Sequence, residues 1–171
     1  MKTFTLPASS DGLELSVMLS TPEGEAAGIV QLVHGMCEHK ERYLPFMEFL
    51  SSQGFVCIIH DHRGHGASVK CAEDLGYMYK GGYKALLSDI RQVSDWILAE
   101  FPGLPYYLIG HSMGSLAARL CVKEDDSHVC IITSTSTTST LLSLLSSIKA
   151  VLFSNTCVPP LPCGKLQSVL F

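Results

Sequence analysis

Four short, continuously apolar runs alternate along the chain with segments of helical periodicity, and this order constrains the fold more than any other feature. The apolar runs occupy residues 28–33, 55–60, 106–109 and 128–133. The helix-like segments occupy residues 42–53, 81–101 and 113–124. Residues 13–19 alternate only partly, as an edge strand does. Continuously apolar strands separated by helices predict an α/β fold with a mostly parallel sheet and helices on both faces.

The polar residues of interest directly follow three of the apolar runs. They are His34-Gly35, Asp61-His62 and Gly110-His111-Ser112. In an open parallel sheet, ligands bind at the carboxyl ends of the strands. We therefore expect these residues to meet at one edge of the sheet.

The segment Gly110-His111-Ser112-Met113-Gly114 matches the pattern G-x-S-x-G. An apolar strand precedes it and a helical segment follows, which is the context that the nucleophile elbow of a serine hydrolase requires. The flanking glycines remove side chains that would clash in such a tight turn. The helix N-terminus behind the serine favours negative charge. The pattern predicts Ser112 as a nucleophile.

The loop of residues 34–39, His34-Gly35-Met36-Cys37-Glu38-His39, follows the first predicted parallel strand. A backbone N–H of this loop, together with that of Met113, can form an oxyanion hole for acyl transfer.

Three segments occur in a characteristic order and spacing: residues 34–39, residues 60–68 (His-Asp-His-Arg-Gly-His-Gly-Ala-Ser) and residues 110–115. Together they resemble the monoacylglycerol lipase and lysophospholipase-like branch of the α/β-hydrolases, also called serine aminopeptidase-like. The resemblance covers roughly residues 10 to 132.

The resemblance implies an α/β-hydrolase fold that acts on a small acyl ester or lipid without a cofactor. It also implies Ser112 as nucleophile and the N–H groups of Met36 and Met113 as the oxyanion hole. The supporting motif residues are His34, Gly35, Gly110, His111 and Gly114. Cys37 replaces the Gly more often found at its position, which leaves backbone donors possible.

The histidines of residues 60–65 have a rival interpretation, because His60, His62 and His65 also match H-x-H-x-x-H. This pattern resembles the metal-binding run of the metallo-β-lactamase-like hydrolases, in which neutral imidazoles share a zinc ion. Gly64 stands where that family usually has Asp. We favour a structural turn braced by Asp61 and Arg63, and we expect no metal. For the same reason His65 is a weak candidate for the catalytic base.

A serine nucleophile needs a base and an orienting acid, which in α/β-hydrolases follow it along the chain. The acids and the histidine at residues 124–128, which are Glu124, Asp125, Asp126 and His128, precede the fourth parallel strand and so lie at the wrong end of the sheet. The sequence thus predicts that the triad acid and base are absent and that the chain is truncated at its C-terminus. Residues 1–135 would form the N-terminal part of the core, and residues 136–171 the start of a cap or an altered tail.

Three functions stay open at this point. The first is a lipase-like ester hydrolase, the second an inactive remnant without Asp and His, and the third a peptidase or thioesterase on the same fold. An apolar stripe at residues 141–152 fits either an acyl-binding cap or an ordinary buried helix face. An exposed strand at residues 128–133 would favour self-association through an open sheet edge.

Composition narrows the remaining classes. The formal charge is −4 and no basic patch is visible, so nucleic acid is not an expected partner. The N-terminus has no apolar signal-peptide core, and no apolar stretch is long enough to span a bilayer. The seven cysteines are irregularly spaced, which predicts free, buried thiols and a cytoplasmic location.

Overall fold

The computed structural model describes residues 1–124, 129–134 and 169–170. The strands are β1 (Lys2–Pro7), β2 (Glu14–Ser20), β3 (Gly28–Val33), β4 (Phe55–His60), β5 (Tyr106–His111), β6 (Val129–Ser134) and β7 (Val169–Leu170). The α-helices are α1 (Leu44–Ser52), α2 (Gly82–Glu100) and α3 (Met113–Glu124). Two short 3₁₀ turns lie at Lys40–Tyr43 and Ala72–Asp74.

The strands form one sheet in the order β1-β2-β4-β3-β5-β6-β7. Strands β4, β3, β5, β6 and β7 run parallel, whereas β1 and β2 are antiparallel to their neighbours. Strand β3 lies between β4 and β5, so the loops after these three strands share one edge of the sheet. The predicted parallel α/β sheet is confirmed.

Successive residues of β3 contact opposite layers, which shows helices on both faces. Val30 and Leu32 pack with Met47 and Leu50 of α1. On the other face, the same strand packs against α2 and α3. The contacts there join Ile29 and Val33 of β3 to Ile90 of α2 and Ala118 of α3. Because both faces of β3 are buried, its sequence is mostly apolar rather than alternating, and its one polar side chain, Gln31, is buried and donates to the Ile90 carbonyl at 3.0 Å.

Strand β2 is not the edge strand that its partial alternation predicted. It pairs with β1 on one side and β4 on the other, and six of its seven residues are buried. Strand β1 is the true edge. Its six residues are exposed or half-buried, so no apolar run marked it in the sequence.

The sequence predicts that the strand at residues 128–133 is the edge of the sheet. In the structure, β7 lies beyond β6. Val169 pairs with Ile132 and Leu170 with Thr133, so β7 covers β6 at these positions. The open-edge expectation is wrong there, and self-association through the rest of β6 stays a prediction.

The predicted helix over residues 42–53 divides into the 3₁₀ turn Lys40–Tyr43 and helix α1. The division falls where Pro45 lies in the first turn of α1, since proline has no N–H to donate within a helix.

Several predictions concern residues outside the described ranges. They are those on Asp125, Asp126, His128, the apolar stripe at residues 141–152 and, apart from residues 169–170, the cap or tail at residues 136–171.

The expectation of buried thiols is correct for Cys57 and Cys121, but Cys37 and Cys71 are exposed on turns. None of the helices in the described ranges is long and apolar enough to cross a membrane.

Candidate active site

Ser112 occupies the turn between β5 and α3 and has a φ of +52°. A non-glycine residue in the left-handed region carries backbone strain, which is the feature expected of a nucleophile elbow. The amide of Ser115 donates to the Ser112 carbonyl at 2.9 Å, and the Ser115 hydroxyl donates to the same oxygen at 2.7 Å. These two bonds close the first turn of α3 around the serine.

The two flanking glycines make this turn possible. A Cβ on Gly110 would lie 2.5 Å from the carbonyl oxygen of Gly114. A Cβ on Gly114 would collide with the carbonyl oxygens of Val33 and His34. The first turn of α3 therefore lies so close to Gly110 of β5 and to the end of β3 that neither glycine position accepts a side chain.

The loop after β3 lies directly against the elbow. A Cβ on Gly35 would be 3.1 Å from Ser112 Cβ and 3.0 Å from Glu38 Oε2. The side chain of Met36 is 63% exposed, and Cys37 has a φ of +58°. The structure thus brings the two predicted motifs together at one edge of the sheet.

The backbone amides of this loop differ in their hydrogen bonding. The Gly35 amide donates to Glu38 Oε2 at 2.7 Å. Within the described ranges, the amides of Met36 and Met113 donate to no protein acceptor. Met36 and Met113 therefore keep the N–H groups that an oxyanion hole needs, while Gly35 does not.

Glu38 is a site residue that sequence reasoning did not single out. Its Oε2 also accepts a hydrogen bond from the Tyr43 hydroxyl at 2.8 Å, and Arg42 lies 3.6 Å from its Oε1. Burial alone raises the pKa of Glu38, but the bonds from Gly35 and Tyr43, with the charges of His111 and Arg42, leave the pKa below its usual value. The sequence signal that could have identified Glu38 is its position three residues after Gly35, within reach of the Gly35 amide.

His34 and His62 join the loops that follow β3 and β4. The amide of His62 donates to His34 Nε2 at 2.9 Å, and His62 Nε2 lies 3.0 Å from the His34 carbonyl oxygen. Both rings are fully buried. Burial lowers the pKa of His34 to about 4 and holds that of His62 well below its usual value.

The three histidines of the H-x-H-x-x-H pattern are not arranged as metal ligands. His62 Nε2 is directed to a backbone carbonyl, and His65 Nδ1 lies 3.2 Å from the carbonyl oxygen of Arg63. The described residues contain no group of three or more His, Cys, Asp or Glu side chains that could hold a metal ion. The contact with the Arg63 carbonyl oxygen holds the His65 ring against the backbone of its own turn.

Asp61 and Arg63 brace this turn, as predicted. Asp61 accepts from the Lys40 amide and ammonium, both at 2.7 Å, and from the Ala67 amide at 2.9 Å. Arg63 is fully buried and donates to both oxygens of Asp89, at 2.7 and 3.0 Å, and to Asp11. The turn therefore connects the β3 loop, the β1–β2 hairpin and α2.

No hydrogen bond reaches the Ser112 hydroxyl from any residue that the structure describes. Among the described residues, a histidine and a carboxylate share a hydrogen bond at His39 and Glu41, 2.8 Å apart on an exposed turn. The described residues thus place a strained serine close to two unbonded amides, without an assembled acid–base pair.

Comparison with known proteins agrees with this geometry. The chain is 31% identical over 120 residues to the human monoglyceride lipase, which is 70% of this chain and 38% of that relative. The chain thus matches little more than a third of that relative's length.

Two solved structures share the fold. A carboxyl esterase from Bacillus coagulans superposes with a TM-score of 0.71 and 28% identity, over 89% of this chain and 50% of the esterase. A soluble variant of the Saccharomyces cerevisiae monoglyceride lipase superposes with a TM-score of 0.66 and 21% identity, over 91% and 52% of the two chains.

The model of one protein family, described as serine aminopeptidase, S33, matches residues 24–161. That range contains the elbow, the loop after β3 and the braced turn after β4. The chain belongs to the serine aminopeptidase S33 family and has the α/β-hydrolase fold.

Proposed function

We propose that the chain carries the nucleophile and oxyanion hole of a serine ester hydrolase that acts on monoacylglycerol-like or lysophospholipid-like esters. The observation that supports this most is the left-handed backbone of Ser112 at the start of α3. Strain of this kind is typical of functional sites. Ser112 lies between Gly110 and Gly114, and neither glycine position accepts a side chain.

In the proposed reaction, Ser112 Oγ attacks the ester carbonyl carbon while its proton passes to a base. The carbonyl oxygen becomes an oxyanion that accepts hydrogen bonds from the amides of Met36 and Met113. Collapse of the tetrahedral intermediate releases the alcohol with a proton. Water then releases the fatty acid from the acyl-serine.

We assign neither the base nor its acid to a described residue. Residues 1–135 are proposed as the core part and residues 136–171 as the start of a cap or an altered tail. A base is required for full activity, and in subtilisin removal of the catalytic histidine lowers kcat by about 10⁶-fold. An inactive remnant is therefore the main competing outcome.

The substrate class rests on two points. The matched human relative is a monoglyceride lipase, and the Bacillus coagulans structure is a carboxyl esterase. In addition, Met36 follows Gly35 in the loop that lies against Ser112 and has an exposed apolar side chain, which suits an acyl chain better than a polar peptide.

A fluorophosphonate probe tests the nucleophile. We expect labelling of the wild-type chain, loss of labelling in Ser112→Ala, and unchanged labelling in the control Ser52→Ala, which alters an exposed serine at the end of α1. Absence of wild-type labelling would favour the remnant. For a labelled chain, rates on matched acyl ester, thioester and peptide substrates distinguish an esterase from a thioesterase or a peptidase.

A further inference from the structure

We propose that Glu38 is a positioning residue of the oxyanion hole, which selects the Met36 amide as donor by engaging the Gly35 amide. The inference rests on the proposed function. It assigns a role to a carboxylate that the reaction itself does not use.

The first step concerns which amide is available. Two successive N–H groups, those of Gly35 and Met36, lie in the turn beside Ser112. Glu38 Oε2 accepts from Gly35 at 2.7 Å. A hydrogen bond to an ionised carboxylate is about twice as strong as one between neutral groups. The Gly35 amide is thus directed away from a substrate, and the Met36 amide stays unbonded.

The second step concerns what holds the carboxylate in place. Tyr43, buried at the end of the 3₁₀ turn, donates its hydroxyl to the same Oε2 at 2.8 Å. Arg42 adds a charge 3.6 Å from the other oxygen. The side chain of Glu38 is only 13% exposed. The Glu38 carboxylate is therefore held by Tyr43 and Arg42 of the 3₁₀ turn and by the Gly35 amide of the loop.

The third step connects the carboxylate to the nucleophile. A single point, where a Cβ of Gly35 would lie, is 3.0 Å from Glu38 Oε2 and 3.1 Å from Ser112 Cβ. Gly35 is thus packed between the two side chains. Movement of Glu38 would move the loop relative to Ser112.

Cys37 makes the need for such an anchor greater. Its φ of +58° is unfavourable for a residue with a Cβ. The Gly35–Glu38 bond spans this strained residue, so it opposes relaxation of the turn that would rotate the Met36 amide.

The test measures binding of phenylboronic acid to the full chain. The Ser112 oxygen adds to boron, the hydroxyl proton leaves to buffer, and the negative charge of the tetrahedral adduct mimics the oxyanion. We expect Glu38→Ala to raise the Kd by about ten- to a hundredfold, approaching the effect of losing an oxyanion donor. Glu38→Gln retains an acceptor oxygen, so we expect it to restore binding to within about threefold of wild type.

Two controls accompany this measurement. Glu48→Ala removes an exposed carboxylate of α1 and should leave the Kd unchanged. The near-ultraviolet circular dichroism of each variant reports whether it folds. If Glu38→Ala does not fold, Tyr43→Phe takes its place, with an expected increase of about threefold in Kd. An unchanged Kd in a folded Glu38→Ala, or in Tyr43→Phe when it is the variant used, would overturn the proposal.

Nuclear magnetic resonance separates failure of this inference from failure of the proposed function. If the wild-type chain binds no boronic acid, the proposed function fails, and the cross-peak between Gly35 Hα and Ser112 Hβ decides the role of Glu38. We expect this cross-peak in wild type and Glu38→Gln but not in Glu38→Ala. Its persistence in Glu38→Ala would show that Glu38 does not position the loop.

Discussion

The amide of His62 donates a hydrogen bond to Nε2 of His34, and the His34 carbonyl oxygen lies 3.0 Å from Nε2 of His62. The ring centroids of the two residues are 4.0 Å apart. This reciprocal contact joins the loops after β3 and β4 at the edge of the sheet where Ser112 lies. It requires the His34 ring to accept at Nε2, and therefore to be neutral.

The first prediction concerns acid stability. Burial lowers the pKa of His34 to about 4 and that of His60 to about 3, and it holds the pKa of His62 well below the usual value for histidine of about 6.5. Below pH 6.5 the unfolded chain binds protons that the folded chain does not. As the pH decreases from about 6.5 to 4, the free energy of unfolding should therefore decrease by about 1.4 kcal/mol per pH unit for each such histidine.

Urea unfolding at several pH values measures this slope. His60→Leu removes one of the three histidines. The slope of the unfolding free energy against pH should then decrease by about 1.4 kcal/mol per pH unit, which corresponds to one proton. Ser52→Ala, which alters an exposed serine and no titrating group, is the control and should leave the slope as in wild type. Equal slopes in wild type and His60→Leu would contradict the prediction.

The second prediction concerns His60 at neutral pH. This ring is fully buried, and neither of its nitrogens has a hydrogen-bond partner among the described residues. Leaving a buried polar group unsatisfied costs about 1–3 kcal/mol. We expect His60→Leu to increase the free energy of unfolding at pH 7.5 by about 1 kcal/mol, measured by urea unfolding. A loss of stability would mean that the ring has a partner.

The third prediction concerns Arg63. Because its buried guanidinium donates to both Asp89 oxygens and to Asp11, Arg63→Met leaves Asp89 buried without its cation. Removing one partner of a buried ion pair costs about 3–5 kcal/mol. Chemical denaturation should show a loss of this size.

Lys84 lies on the exposed side of α2 and provides the control, since Lys84→Met should change stability by less than about 0.5 kcal/mol. The double variant Arg63→Met with Asp89→Leu should recover part of the loss, because no buried charge is then left unpaired. If the double variant is no more stable than Arg63→Met, the ion pair is not the cause.

The fourth prediction separates stability from reactivity at Ser112. Its φ of +52° is unfavourable for any residue with a Cβ. Ser112→Ala should unfold with the free energy of wild type, whereas Ser112→Gly should be more stable by about 1 kcal/mol. Both variants should lose fluorophosphonate labelling. Equal stability of the glycine and alanine variants would show that the elbow is unstrained.

The fifth prediction applies the same reasoning to Cys37, whose φ is +58° on an exposed turn. We expect Cys37→Gly to raise the thermal midpoint through a gain of about 1 kcal/mol. Cys37→Ala removes the thiol but keeps the Cβ, and should resemble wild type. A midpoint that rises equally in both variants would assign the effect to the thiol rather than to the backbone.

The sequence by itself determined the order of the central elements and the position of the elbow. Nearly continuous apolar runs identified β3 and β4 with their observed bounds, because a strand covered on both faces carries few polar positions, here only Gln31 and His60. The pair Gly110 and Gly114 marked the strained turn, since such a turn excludes side chains within a few residues of itself. These are local properties, and they can be read from neighbouring letters.

The tertiary structure alone decided which distant side chains meet. The bond from His62 to His34 spans 28 residues, and that from Arg63 to Asp11 spans 52. Sequence patterns favoured a structural turn over a metal site for these histidines, but they identified no contact of any of the rings. That distinction depends on which carbonyls and amides the fold places against each ring. Likewise, Glu38 became an anchor of the Ser112 loop only where the Gly35 amide, the Tyr43 hydroxyl and the elbow converge.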